Sequence, residues 1–146
     1  MVLVIIPCTW TANCACFRGK GGAGTLPALL FPFRASGVVI NTEQGYYSLS
    51  ASFPSSARVG RNDLTLVIGD KGSKRPVDKK LDIEVVPWMT THEHGSDEFP
   101  VIRKTGPGTY LVQHVDFTMP GAWQVYIKIK DGTREDTAVF DVNVAK

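Results

Sequence analysis

The chain has 146 residues, of which 43% are hydrophobic and 21% charged. That is the size of a single domain and the apolar content of an ordinary globular one. It excludes a wholly disordered chain and, with no window of about 18 consecutive apolar residues, a polytopic membrane protein. The net charge of +2 divides unevenly: residues 1–42 carry Arg18, Lys20 and Arg34 and no acid, whereas the remainder holds 13 basic and 14 acidic residues. A basic excess confined to one end argues against nucleic acid as a partner, which needs basic residues clustered on a folded face.

Residues 1–42 are set aside as an N-terminal leader or disordered extension, and residues 43–146 are taken as the folded domain. Arg18 and Lys20 form a basic region, Leu26-Pro27-Ala28-Leu29-Leu30-Phe31-Pro32-Phe33 is a short apolar run, and Ala35-Ser36-Gly37 offers small residues at a cleavage-like spacing. These are the parts of an export signal peptide. Two prolines and Arg34 interrupt that pattern, so an irregular extension or a start site further along stands beside it. All three cysteines, Cys8, Cys14 and Cys16, fall in this stretch. The domain therefore has no disulfide framework, and two thiols at Cys14-Ala15-Cys16 are too few to close a four-ligand metal site.

From Tyr46 onward the pattern has period two. Tyr47, Leu49, Ala51 and Phe53 alternate with Ser48, Ser50 and Ser52, which predicts a half-buried strand ended by Pro54. Leu64, Leu66 and Ile68 repeat it before the turn Gly69-Asp70-Lys71-Gly72. Leu81, Ile83 and Val85 form the next strand, closed by Pro87. A short strand covers 99–103, and Thr105-Gly106-Pro107-Gly108 is a turn. The strand 109–117 changes phase: Tyr110 and Val112 share one parity, Val115 and Phe117 the other. A single bulge near Gln113 or His114 reconciles them and leaves the direction of His114 open. Trp123, Val125, Ile127 and Ile129 make the next strand, Asp131-Gly132 a hairpin turn, and Ala138, Phe140, Val142 and Val144 the last. The expectation is an all-β, immunoglobulin-like β-sandwich of about seven antiparallel strands. Tyr110 stands either as a corner tyrosine bonded to backbone or as plain core packing.

The chemistry concentrates in Trp88-Met89-Thr90-Thr91-His92-Glu93-His94. Apart from Met1, the methionines are Met89 and Met119, and the third histidine, His114, lies five residues before Met119. If strands alternate in direction in an up-and-down order, the loop after Pro87 and the turn at Met119 share one pole, and His114 lies within about 10 Å of it. Imidazole with thioether is a soft mixed site that favours Cu(I); Cu(II) or zinc would accept the histidines, with Glu93, Asp97 or Glu98 adding oxygen. Trp88 and Trp123 adjoin the candidate ligands and would shield a cation. The alternative is structural: methionines filling core gaps and histidines in a solvated loop.

The run Pro87-Trp88-Met89…His92-Glu93-His94, with Gly108-Thr109-Tyr110 and Phe117-Thr118-Met119-Pro120-Gly121-Ala122-Trp123, resembles the YtkA-like family, which is related to FixH-like proteins. The Asn62-Asp63-Leu64 start and the Ala138-Val139-Phe140-Asp141-Val142 end fit as well, so the resemblance spans residues 45–145. It implies a small extracytoplasmic bacterial sandwich, periplasmic or membrane-associated, connected with copper handling, oxidase maturation or metal efflux. Carried over by motif, the ligands are Met89, His92, His94 and Met119; His114 has no counterpart in it.

Two functions follow as expectations. One is a copper carrier or buffer whose partner is the metal ion. The other is a metal-free interaction module docking on a membrane transporter or an oxidase assembly partner. An enzyme is not expected: the domain has no cysteine nucleophile, no Gly-x-Ser-x-Gly elbow, no phosphate loop, and His92-Glu93-His94 lacks the helical spacing of a catalytic zinc site.

Overall fold

Alternation along each strand decides which side chains meet. The computed structural model describes residues 37–146 other than 74. Residues 1–36 of the leader reading, with the apolar run and the three cysteines, lie outside them. Among the described residues nine strands are present: β1 (Val38–Asn41), β2 (Tyr47–Ser52), β3 (Gly60–Asp70), β4 (Asp82–Met89), β5 (His94–Gly95), β6 (Val101–Gly106), β7 (Thr109–Phe117), β8 (Gly121–Asp131) and β9 (Arg134–Val144). They form two antiparallel sheets, β1-β2-β3-β7-β6 and β5-β4-β8-β9. The fold is all-β, as the period-two pattern requires.

Two strands exceed the seven expected. β1 lies inside the stretch set aside as leader, at the sheet edge, and pairs Val38 with Ala51 through Asn41 with Ser48. Its Val-Val-Ile-Asn has no alternation because no face of it is fully buried. β5 is two residues long and shorter than any periodic signal. The chain also departs from a simple up-and-down order. β3 pairs with β7, and β4 crosses to the second sheet beside β8. Alternation reports the faces of a strand but not its neighbour.

Between the sheets Trp123, Phe117, Leu49, Leu64, Leu66, Ile68, Val112, Val115, Val125, Ile127 and Ile129 are fully buried. Each such side chain contributes about 1.5–3 kcal/mol of burial. The bulge on β7 is where the phase change places it: Asn62 pairs with Val115 and Leu64 with Val112, so Gln113 and His114 together face Asp63. Val112 and Val115 both point inward as a result. His114 is exposed and carries a φ of 62°.

One polar group is built into this frame. Asp136 on β9 is 2% exposed. Its carboxylate accepts from the Thr42 hydroxyl and from the amides of Gln44, Tyr46 and Thr137. It ties β9 of one sheet to the β1–β2 loop of the other. Tyr110 is 4% exposed, and its hydroxyl has no partner among the described residues. The corner reading of Tyr110 is thereby corrected: the ring is core, and the hydroxyl bonds to no backbone.

Candidate metal centre at the β4–β5 pole

The segment after β4 folds back within five residues. Met89 pairs with His94 and Trp88 with Gly95. The turn is closed by the His92 amide donating to the Met89 carbonyl at 3.3 Å. Glu93 sits in the left-handed region at φ 53°, a backbone state that is uncommon for a residue with a side chain. This kink sets His92 and His94 side by side, with ring centres 6.0 Å apart and planes tilted by 43°.

Direct cross-strand partners share a face. Met89 is buried, so its partner His94 also turns inward, where its ring meets Trp123 edge-on at 5.7 Å. Trp123 in turn packs on Phe117 at 5.3 Å, and Phe117 lies 6.2 Å from Phe53. A row of aromatic rings thus runs from the core to the pole and ends on His94. The Trp123 indole N–H donates to the Met119 carbonyl at 3.0 Å, which fixes the β7–β8 turn against the same wall. Met119 itself is half-buried against the core.

His94 Nδ1 lies 3.1 Å from the Gly95 carbonyl. A carbonyl only accepts, so the tautomer that makes this bond carries its proton on Nδ1 and leaves the Nε2 lone pair free. A metal–nitrogen bond of about 2 Å places an ion about 3.2 Å from a ring centre, so two rings sharing one ion lie within about 6.4 Å of each other. The observed 6.0 Å fits that limit. His92 is exposed and His94 half-buried, giving one accessible and one anchored imidazole.

The structure therefore brings Met89, His92, His94 and the Met119 turn to one pole, around Trp123. It does not bring His114 there. His114 lies on the exposed β7 bulge, near enough to Glu98 for its charge to act on that carboxylate. The hydrogen bonds from Arg61, at 2.9 and 2.6 Å, are the main reason that the Glu98 carboxyl is held below its ordinary range, and His114 adds to them. Glu98 is thus committed to Arg61. Among the described residues no group of three or more His, Cys, Asp or Glu side chains is arranged to hold a metal ion. The soft side chains at this pole are those of His92, His94, Met89 and Met119.

Trp88 and Trp123 take different sides. Trp88 is 36% exposed on the outer face. A Cβ built on Gly95 would lie 3.4 Å from its ring, so glycine here lets the indole lie over β5. Gly121 is the residue of the site that sequence reading passed over, since Pro120-Gly121 signals only a turn. Its φ is +136°, and a Cβ there would fall 2.8 Å from the Met89 methyl carbon. Gly121→Ala is expected to lower stability by about 1–3 kcal/mol through backbone strain and to displace the Met89 methyl. The carbon-13 methyl shift of Met89 reads the second effect; an unmoved signal would show that Gly121 does not seat the thioether.

A family model described as YtkA-like matches residues 41–128. No curated protein and no solved structure matches the chain. The matched stretch runs from the end of β1 through most of β8 and contains the whole β4–β5 hairpin and the Met119–Trp123 turn; the chain belongs to the YtkA-like family.

Proposed function

We propose that this domain is an extracytoplasmic copper carrier or buffer that takes Cu(I) at the β4–β5 pole through His92 and His94, with Met89 and Met119 as thioether donors. The observation that carries this reading is the pairing of the two imidazoles, 6.0 Å apart, with His94 against Trp123. Residues 43–146 contain no cysteine, so methionine and histidine are the soft donors that the domain has. Thioether and imidazole favour Cu(I) over harder ions, while Cu(II) or zinc would draw on the histidines alone. Family membership supports the extracytoplasmic setting and the link to copper handling. An exposed His92 on a turn suits exchange of a cargo ion better than turnover of a substrate, which is why a carrier is preferred to an enzyme.

The test is Cu(I) titration against a chromophoric competitor. The His92→Ala/Met119→Ala variant is expected to bind at least about 100-fold more weakly than wild type, and His114→Ala to bind equally. Equal affinity in wild type and the double variant would sink this site.

A second reading is supported by the outer face of β4 and β8. Val86, Trp88 and Tyr126 line a shallow apolar groove beside the hairpin. In that reading the domain is a metal-free module that docks on a membrane transporter or oxidase subunit. A partner complex that survives chelator and is lost in Trp88→Ala favours it over the carrier.

A further inference from the structure

Away from the β4–β5 hairpin, the two sheets meet along a seam between the β1–β2 edge and β9. The backbone of β9 shows where that seam is fastened. The Thr137 carbonyl accepts from the Glu43 amide at 2.8 Å. The Ala145 amide donates to the Ala57 carbonyl at 3.0 Å, and the Ala145 carbonyl accepts from the Val59 amide at 3.0 Å. Thr137 and Ala145 thus turn their backbone groups away from β8. Those groups alternate in direction along a strand, so residues 139, 141 and 143 turn theirs the same way. β9 pairs with β8 alone, and among the described residues no hydrogen bond reaches the outward amides and carbonyls of Val139, Asp141 and Asn143. The seam is closed at both ends and open between them.

A cavity of about 460 Å³ lies against this open stretch. Phe140 and Val142, on the inner face of β9, line it with Val38 and Phe53 from the other sheet. Unpaired strand backbone beside an apolar floor is what an added strand uses: main-chain bonds hold it, and alternate side chains fill the hollow. Asp141 is the charged residue of the lining and lies exposed on the outer face of β9. It accepts from the Gln124 side-chain amide at 3.1 Å and, among the described residues, forms no ion pair. A second copy of the chain does not suit this edge. Antiparallel pairing of two β9 strands over the three open residues places the two-fold axis at Asp141 and sets its carboxylate opposite that of the copy, which is destabilising. The same carboxylate favours a cation at the facing position.

We infer that this seam binds an extended segment of a partner protein that adds to β9 as a short strand, with apolar side chains at two alternate positions and a lysine or arginine between them. The apolar pair enters the cavity over Phe140 and Val142. The cation stands on the outer face opposite Asp141, and the backbone N–H and C=O of the same residue exchange hydrogen bonds with those of Asp141. Binding here uses none of the histidine or methionine side chains at the β4–β5 pole.

The probe is the peptide acetyl-Thr-Val-Lys-Val-Thr-amide, titrated into the ¹⁵N-labelled full chain and followed by NMR. Saturable shifts are expected around the amides of Val139, Asp141 and Asn143, with slower hydrogen exchange at Asp141 and Asn143. Replacing both valines of the peptide by serine, or methylating the backbone nitrogen of its lysine, abolishes them. Replacing the lysine by glutamate weakens binding about fivefold at low salt. In the Asp141→Asn protein the lysine and glutamate peptides bind alike. The inference is overturned by the absence of saturable shifts up to about 10 mM, by binding that tolerates the backbone methyl group, or by a lysine preference that survives Asp141→Asn. Exchange protection of the Asp141 and Asn143 amides in the free protein also overturns it, since the edge would then be covered already by this chain or a second copy.

Discussion

Asp136→Ala is expected to destabilise the domain by about 4 kcal/mol, lowering Tm by about 15 °C. The substitution removes one acceptor group and takes the acceptor from three amides at once, those of Gln44, Tyr46 and Thr137, while the Thr42 hydroxyl keeps the Tyr47 carbonyl at 3.0 Å. Two of those amides belong to the β1–β2 loop, so the tie between the sheets at that corner is lost as well. Asp136→Asn keeps the volume and one acceptor oxygen. It is expected to recover less than half of the loss, because its amide nitrogen faces donors where the second oxygen stood. Urea unfolding of the three proteins at neutral pH measures this, and a loss below about 1 kcal/mol in the alanine variant would refute the clamp.

The same carboxylate gives the domain an acid limb. Burial is the largest single influence on Asp136 and opposes its charge, yet the hydrogen bonds from Thr42, Gln44, Tyr46 and Thr137 together hold its carboxyl below the usual carboxylate range. A depressed folded value means that the unfolded chain binds the proton first. The stabilisation is complete above the unfolded value, near 3.8, and is lost as pH falls below it through the folded value. Asp70, at an exposed position, and the half-buried Glu98 and Asp131 are shifted in the same direction, so some acid sensitivity persists without Asp136. The expected result is a shallower fall in stability below pH 4 in Asp136→Ala than in wild type.

Gly108→Ala is expected to cost about 3–4 kcal/mol, from left-handed strain plus a steric clash. Gly108 is buried at φ +61°, and its carbonyl accepts from the Ile68 amide at 2.7 Å. A Cβ there would lie 2.4 Å from the Ile68 carbonyl oxygen and 2.9 Å from the Val77 nitrogen, inside the hydrogen bond that joins those two atoms. Both neighbours are backbone and cannot swing aside. Gly132→Ala separates the two causes. Gly132 has φ +57° with nothing within 4 Å of the added carbon, so it reports the conformational cost alone, about 1 kcal/mol. Thermal unfolding of both variants gives the contact cost by difference. Equal losses at the two positions would show that the packing at Gly108 contributes nothing.

Much of the architecture is legible along the chain. The serine alternation of β2, the Asp-Gly turn before β9 and the broken parity around His114 each follow from the two-residue period of a strand. The bulge at Gln113–His114 is legible for the same reason, since an inserted residue shifts everything after it to the other parity. β1 and β5 escape notice because one lacks an apolar face and the other lacks length. In the candidate site, the composition of the donor set is legible and its membership is not. His114 shares the sequence neighbourhood of Met119, but the left-handed kink at its own backbone places it on the exposed bulge beside Glu98.

Period and turn chemistry are local, so the sequence by itself determined the class of fold, the inner face of each long strand, and a domain whose soft donors are histidine and methionine. Which strand lies beside which, and which distant group answers a buried polar atom, depend on contacts between residues far apart in the chain. Asp136 meets Gln44 across 92 positions. Gly108 reads as a turn residue until Ile68 and Val77 are seen against it, and Tyr110 reads equally as corner or core until its hydroxyl is found without a partner among the described residues. Only the tertiary structure decided these, together with the packing of His94 on Trp123, because a side chain's partner is chosen by packing across the sandwich and leaves no period in the sequence.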